Sequence, residues 1–202
     1  MLSPFLSKSY LDEHTIRALH AQLSQAKPFP HLVLKSFFVR SYAEHLLQAL
    51  SKATFVHQES DLYSFSQTED FGSIQQPELH SLHRLLCSSP FQDFLLRLTG
   101  LPVGKKVDCS GFAYQSGDYL LPHDDRADTR KLAYTYHLTK DFPKKDGGAL
   151  EFFDGKKIAV SLPPTFNTLI VFLVEEGKSI HQVSEVTGDG ERFALSGWFH
   201  DR

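Results

Sequence analysis

The sequence is poor in the features that define several protein classes. It has only two cysteines, Cys87 and Cys109, which are too few for a disulfide-stapled scaffold. Lys and Arg together number 21 against 24 Asp and Glu, a formal net charge of -3, so the chain is not built to coat nucleic acid or an anionic membrane. No apolar run approaches the roughly 18 residues of a membrane-spanning helix. The N-terminus lacks the basic start and apolar core of a secretory signal.

The composition that remains is that of a globular protein, with 41% hydrophobic and 22% charged residues. A chain of this length is expected to form one domain, residues 1–202, because no linker or repeat divides it. We expect an intracellular protein, cytoplasmic or, in a eukaryote, nuclear, that is not secreted. We expect neither a membrane nor a nucleic-acid partner.

The two halves of the chain carry different patterns. Residues 1–105 read as mainly helical support, with one strand at 31–38, a capping-box pattern from Ser41 to Glu44, and a helix from Ser89 that stops at Gly100. Residues 106–202 read as short strands, and Asp154-Gly155 is a two-residue hairpin signal. The segments with strand patterns are 105–115, 130–139, 149–154, 157–162, 168–174, 179–186 and 191–200. The sequence therefore predicts an α+β protein whose β half is a sandwich or barrel.

An H-x-D triplet, His123 to Asp125, lies between two of these strands. Both side chains can point the same way from extended backbone, and together they make two thirds of the facial triad that holds non-haem Fe(II). Such triplets are frequent by chance, and by itself this one is better explained as a charged loop. His181, in a strand much further along the chain, is the candidate third ligand.

Two strands have one face that suits a ligand cavity. Arg192, Ala194 and Ser196 share a face, so a guanidinium is followed by two small residues that leave room for a carboxylate beside it. The segment 130–139 has a face of small and polar residues that includes His137. This second face either lines a cavity or is the solvated side of a sandwich strand.

The order of these residues resembles that of the Fe(II)/2-oxoglutarate oxygenases. Within the prolyl 4-hydroxylase-like superfamily, the chain most resembles the ribosomal-protein prolyl 3-hydroxylases. The resemblance spreads over nearly the whole chain and is carried by PFPHLVL, SDLYSFSQ, YQSGDYLLPHDD, GGALEFF, HQVSEV and SGWFH.

The resemblance implies a double-stranded β-helix, a jelly-roll or cupin-like core, buttressed by N-terminal helices. It implies His123, Asp125 and His181 as iron ligands and Arg192 as the anchor for the distal carboxylate of 2-oxoglutarate. Tyr114 matches a tyrosine of the cosubstrate pocket. His137 stands where the family commonly has a cosubstrate-binding tyrosine. Family members continue into a second, degenerate copy of the fold, which we do not expect within these residues.

The implied reaction uses Fe(II), 2-oxoglutarate and O2, with ascorbate in support, and hydroxylates a prolyl residue. The implied partner is a loop of a small-subunit ribosomal protein, and Asp61 to Phe65 is a candidate substrate-facing segment. A related oxygenase acting on another protein or a free amino acid is the nearest alternative. A non-catalytic 2-oxoglutarate-binding module and a zinc hydrolase are further alternatives. An intact triad together with Arg192 favours the oxygenase, because hydrolysis needs no dicarboxylate anchor.

Overall fold

An antiparallel sheet of eleven strands forms the centre of the computed structural model, which describes residues 2–127 and 129–201. Met1, Asp128 and Arg202, which fall within the predicted domain, lie outside the described residues. The strands are β1 (His31–Lys35), β2 (Val56–Ser60), β3 (Tyr63–Gln67), β4 (Val107–Tyr114), β5 (Tyr119–His123), β6 (Arg130–His137), β7 (Leu150–Asp154), β8 (Lys157–Leu162), β9 (Thr168–Leu173), β10 (His181–Val183) and β11 (Arg192–His200).

The strand order is β1-β9-β6-β11-β4-β3-β5-β10-β7-β8, with β2 paired to β3. Strands far apart in this order nevertheless meet, because Phe172 of β9 lies against His181 of β10, with ring centroids 4.7 Å apart. The sheet therefore curls around an interior, which is the half-barrel of a double-stranded β-helix. This confirms the predicted fold class.

Helices cover the outer face of the sheet. They are α1 (Glu13–Gln25), α2 (Arg40–Leu50), α3 (Pro77–Leu86) and α4 (Ser89–Thr99). Their apolar stripes form one large core with alternate residues of β6 and β11, for example Tyr136 and Leu195, which are nearly inaccessible to solvent. The opposite face of the same strands is thereby left to line the interior. Among the described residues, no helix is both long and apolar enough to cross a membrane.

Most predicted elements of the β half are present, and Gly100 ends α4 in a left-handed conformation as expected. The predicted capping box at Ser41 is wrong, because α2 begins at Arg40 after Val39, which makes no side-chain cap. Glu44 instead contacts Arg40 and Lys140, at 3.2 and 3.0 Å.

The predicted strand 179–186 is shorter than expected, since β10 is only three residues long and residues 175–179 close a turn. The half predicted as helical support also supplies β1, β2 and β3 to the sheet. All five residues of β2 are exposed, so it carries no alternating apolar pattern that the sequence could reveal.

Candidate active site

The two histidines and the aspartate of the predicted triad meet at the interior of the curled sheet. His123 ends β5 and His181 begins β10, and the two are direct cross-strand partners. Asp125 follows in the loop after β5, with one carboxylate oxygen 3.5 Å from His123 Nε2 and the other 3.4 Å from His181 Nε2. One donor atom from each residue lies within 4.8 Å of the others, so all three can contact one cation.

Backbone carbonyls orient both imidazoles. His123 Nδ1 lies 2.8 Å from the carbonyl of Leu121, and His181 Nδ1 lies 2.9 Å from the carbonyl of Ser179. Because a carbonyl only accepts, each Nδ1 carries the proton in these contacts and each neutral ring keeps its Nε2 lone pair free. Both lone pairs are therefore available to a cation that lies beside the Asp125 carboxylate.

Burial and neighbouring charges shift the pKa values of all three residues of this cluster. Burial alone would raise the pKa of Asp125, but its hydrogen bond with His123 and its electrostatic interactions with both histidines outweigh burial and lower that pKa. Burial lowers the pKa of His181, which favours its neutral form. For His123, burial opposes the effect of Asp125, and Asp125 prevails, so the pKa of His123 is raised. A metal ion that binds His123 through Nε2 must therefore displace any proton that the histidine has taken up there beside Asp125.

Arg192 lies at the first position of β11, only 1% exposed, opposite Tyr114 of β4. Its guanidinium carbon sits 4.7 Å from the centre of the Tyr114 ring, and burial raises the pKa of that phenol to about 12. Within the described part of the chain, no carboxylate lies within ion-pair distance of Arg192, and its buried Nε has no hydrogen-bond partner. A fully buried cation without an anion is costly, so this position is suited to an anionic ligand.

His137 points to the same interior as Arg192, because its cross-strand partner Ala194 lies two residues along β11. The ring is wholly buried and neither nitrogen finds a partner among the described residues. Burial, with the nearby Arg192 charge, holds the pKa of His137 well below its usual value, so the ring is neutral. Thr168, its partner on β9, has an equally buried and unpartnered hydroxyl. Of the two interpretations of segment 130–139, the interior one is therefore correct.

A glycine lies directly against the Arg192 side chain. A Cβ on Gly148 would come within 3.0 Å of Arg192 Cδ, and its φ of +66° is one that side chains rarely adopt. Only glycine fits this position without moving Arg192 or the backbone.

The triad, Arg192 and Tyr114 line one cavity of about 360 Å³. Arg192 and Tyr114 lie among its inner residues, whereas Leu62 and Leu121, which are 56% and 40% exposed, belong to its mouth. The predicted substrate-facing segment therefore reaches the cavity through Leu62, Tyr63 and Phe65.

Sequence reasoning missed two residues at this cavity. The guanidinium of Arg130 lies 3.4 Å from the centre of the Trp198 ring, and both side chains line the cavity beside Asp125. Trp198 continues the alternation that already put Arg192 on the inner face, so the strand pattern could have identified it. Nothing local marks Arg130, which is brought to the site only by sheet pairing.

The donor set fits Fe(II), because two neutral imidazoles and one carboxylate on one side of an ion leave its other positions open. The interior also fits 2-oxoglutarate. Arg192 offers a guanidinium that pairs with no described carboxylate, in a cavity also lined by Thr135 and Ser196, which are hydrogen-bonded to each other at 3.1 Å.

Comparison with known proteins agrees with this geometry. The sequence profile of the 2OG-Fe(II) oxygenase superfamily matches residues 109–200, which contain every candidate metal-binding and cosubstrate-binding residue. Residues 109–200 therefore form a 2OG-Fe(II) oxygenase domain, and the chemistry of this superfamily uses Fe(II), 2-oxoglutarate and O2.

Particular relatives are prolyl hydroxylases. The chain is 36% identical over 181 residues to the prolyl 3-hydroxylase OGFOD1 of Xenopus laevis, covering 86% of this chain and 35% of that protein. It thus spans about a third of the length of this curated relative. A Pseudomonas putida prolyl-4-hydroxylase superposes with a TM-score of 0.76 at 18% identity, over 93% of this chain and 99% of that one. A Trichoplax adhaerens prolyl hydroxylase, in complex with a hypoxia inducible factor peptide fragment, gives a TM-score of 0.75 at 17% identity, over 94% and 90%.

Proposed function

We propose that this chain is an Fe(II)- and 2-oxoglutarate-dependent dioxygenase that hydroxylates a prolyl residue of a protein. The observation that carries the proposal is one cavity that holds a His-Asp-His donor set and a buried guanidinium for which the described residues supply no anionic partner. The similarity to a prolyl 3-hydroxylase supports proline as the target and position 3 as the site of hydroxylation.

His123, Asp125 and His181 would hold the metal ion through the Nε2 atoms and the carboxylate. Bound Fe(II) with 2-oxoglutarate supplies the oxidative decarboxylation that activates O2 for hydroxylation of a substrate C–H bond. Arg192 would bind the distal carboxylate of the cosubstrate with two parallel hydrogen bonds, with Tyr114 beneath the guanidinium. His137, neutral and buried, would donate a hydrogen bond from its one ring N–H to the same carboxylate, in the role that a tyrosine commonly fills in the family.

The mouth of the cavity suits an extended peptide. Leu62 and Leu121 are exposed there and are linked by a 2.8 Å hydrogen bond from the Leu121 amide to the Leu62 carbonyl. An apolar rim of this kind offers burial to a proline and its neighbours. The Trichoplax adhaerens neighbour, solved with a peptide, supports a protein substrate rather than a free amino acid. We extend this proposal to a loop of a small-subunit ribosomal protein, and hence to a cytoplasmic or nuclear location.

Mass spectrometry of a proline-containing ribosomal loop peptide tests the proposal. The peptide is incubated with the protein, Fe(II), 2-oxoglutarate, ascorbate and air, and we expect a gain of about 16 Da on proline. His181→Ala should abolish it. His14→Ala, the same change at an exposed histidine of α1, should not.

Succinate release without peptide oxidation would keep the oxygenase and reject this peptide as its substrate. Binding of metal and 2-oxoglutarate without any succinate would overturn the enzymatic proposal in favour of a binding module.

A further inference from the structure

The middle residue of the H-x-D motif makes a contact that its neighbours do not. Asp124 Oδ2 accepts a hydrogen bond of 3.0 Å from the backbone amide of Gly177. Gly177 belongs to the turn that leads into His181, so the contact joins the loop carrying Asp125 to the segment carrying the third member of the triad.

That turn is closed by a buried hydroxyl. Ser179 is fully buried, and its Oγ accepts from the Glu175 amide and donates to the Glu175 carbonyl, both at 3.0 Å. The carbonyl of Ser179 in turn accepts the 2.9 Å hydrogen bond from His181 Nδ1. The Asp124 carboxylate is therefore connected to the His181 imidazole through the hydrogen-bonded turn of residues 175–179.

We propose that Asp124 is a positioning residue, which sets the separation of His181 from the H-x-D pair before a metal ion binds. The inference rests on the metal site of the proposed function but not on the identity of the substrate. It follows from geometry, because the three donor atoms come from two separate segments, the end of β5 with the loop after it and the start of β10. A donor set is effective only when the distances between its members are held.

A second contact between the same loops cannot perform this role. Arg126 and Glu176 form an ion pair of 2.5 Å, but their side chains are 62% and 66% exposed. Exposed ion pairs hold two long, mobile side chains and contribute little. The short carboxylate of Asp124, bound directly to backbone, constrains the turn more tightly.

The experiment compares Asp124→Ala with Glu176→Ala, since each removes one carboxylate from the contacts between these loops. Co(II) serves as the probe in anaerobic titration, and its visible absorption spectrum reports the coordination geometry. We expect Asp124→Ala to weaken Co(II) binding by roughly tenfold or more and to alter the spectrum, as loss of residues that orient metal ligands does. Glu176→Ala should stay within about twofold of the unmodified protein.

Two further measurements separate positioning from general damage. Asp124→Asn keeps an oxygen that can accept from Gly177, so it should restore most of the affinity. Hydrogen exchange of the Gly177 amide in the metal-free protein should accelerate in Asp124→Ala and not in Glu176→Ala. If Asp124→Ala proves unstable, Asp124→Leu, which has nearly the same shape and also lacks the acceptor oxygen, replaces it in both measurements.

The inference would be overturned if Asp124→Ala left the Co(II) affinity, the Co(II) spectrum and the exchange rate of the Gly177 amide unchanged. It would also be overturned if Asp124→Ala and Glu176→Ala lost equal amounts of Co(II) affinity. Failure of the metal site itself has a different signature. His181→Ala would then bind Co(II) as well as the unmodified protein, and both this inference and the proposed function would fall.

Discussion

Replacing Arg192 by methionine is expected to affect the ligand-free protein and its complex with 2-oxoglutarate in opposite directions. Methionine keeps a long side chain in the same space but removes the buried charge. In the ligand-free protein, Arg192 is 1% exposed and has no anionic partner among the described residues. Its charge is therefore a cost that the fold bears until an anion arrives.

The expected magnitudes follow from the surroundings of this side chain. Replacing a buried charge by an apolar group of similar size gains about 1–4 kcal/mol, and losing the contact with Tyr114 costs about 0.5–2 kcal/mol. A net gain of about 1 kcal/mol raises the unfolding temperature of a protein this size by roughly 2–4 °C. Two charge-assisted hydrogen bonds to a carboxylate, at about 1.5–3 kcal/mol each, imply a loss of roughly 10²- to 10⁴-fold in 2-oxoglutarate affinity.

Thermal unfolding of the metal-free protein and calorimetric titration of the Mn(II)-loaded protein with 2-oxoglutarate measure the two effects. Arg126→Met, at an arginine that is 62% exposed, is the matched control and should change neither. A ligand-free Arg192→Met protein that is less stable than the unmodified one, and that still binds 2-oxoglutarate normally, would refute the reasoning.

Three further predictions concern the same interior. Gly148→Ala should weaken 2-oxoglutarate binding by roughly tenfold, because the new Cβ would displace the Arg192 side chain. Gly155→Ala has a similar positive φ but no neighbouring atom within 4 Å of the new Cβ, so it should lower stability alone. Equal 2-oxoglutarate affinities of the two variants would contradict this. His137 stays neutral in the folded protein but takes up a proton in the unfolded chain below about pH 6.5, so the free energy of unfolding decreases as the pH is lowered through this range. In denaturant titrations, His137→Gln should reduce the slope of unfolding free energy against pH by about 1.4 kcal/mol per pH unit. An unchanged slope would count against this assignment. Asp125→Asn should abolish Co(II) binding and leave the fold intact by circular dichroism; retained binding would exclude this triad.

Much of this protein could be predicted from its sequence because the relevant signals are local. Alternation along 191–200 depends only on the pleat of a strand, so it identified the inner face that carries Arg192. The H-x-D spacing likewise needs only extended backbone to bring His123 and Asp125 to one side. These patterns, with the resemblance that they support, predicted the α+β class and the residues of the candidate site.

Other features were decided by the pairing of distant segments. The exposed strand β2 shows no apolar alternation, and only its pairing with β3 makes it a strand. The partners of Arg130 and Asp124 lie far along the chain, on Trp198 and Gly177, and no local pattern encodes such distances. The lack of an anionic partner for Arg192 among the described residues is also a tertiary property, because it depends on which groups the curled sheet brings near and which it excludes. Local sequence thus determined which side chains face the interior, whereas the closure of the sheet decided which of them meet there.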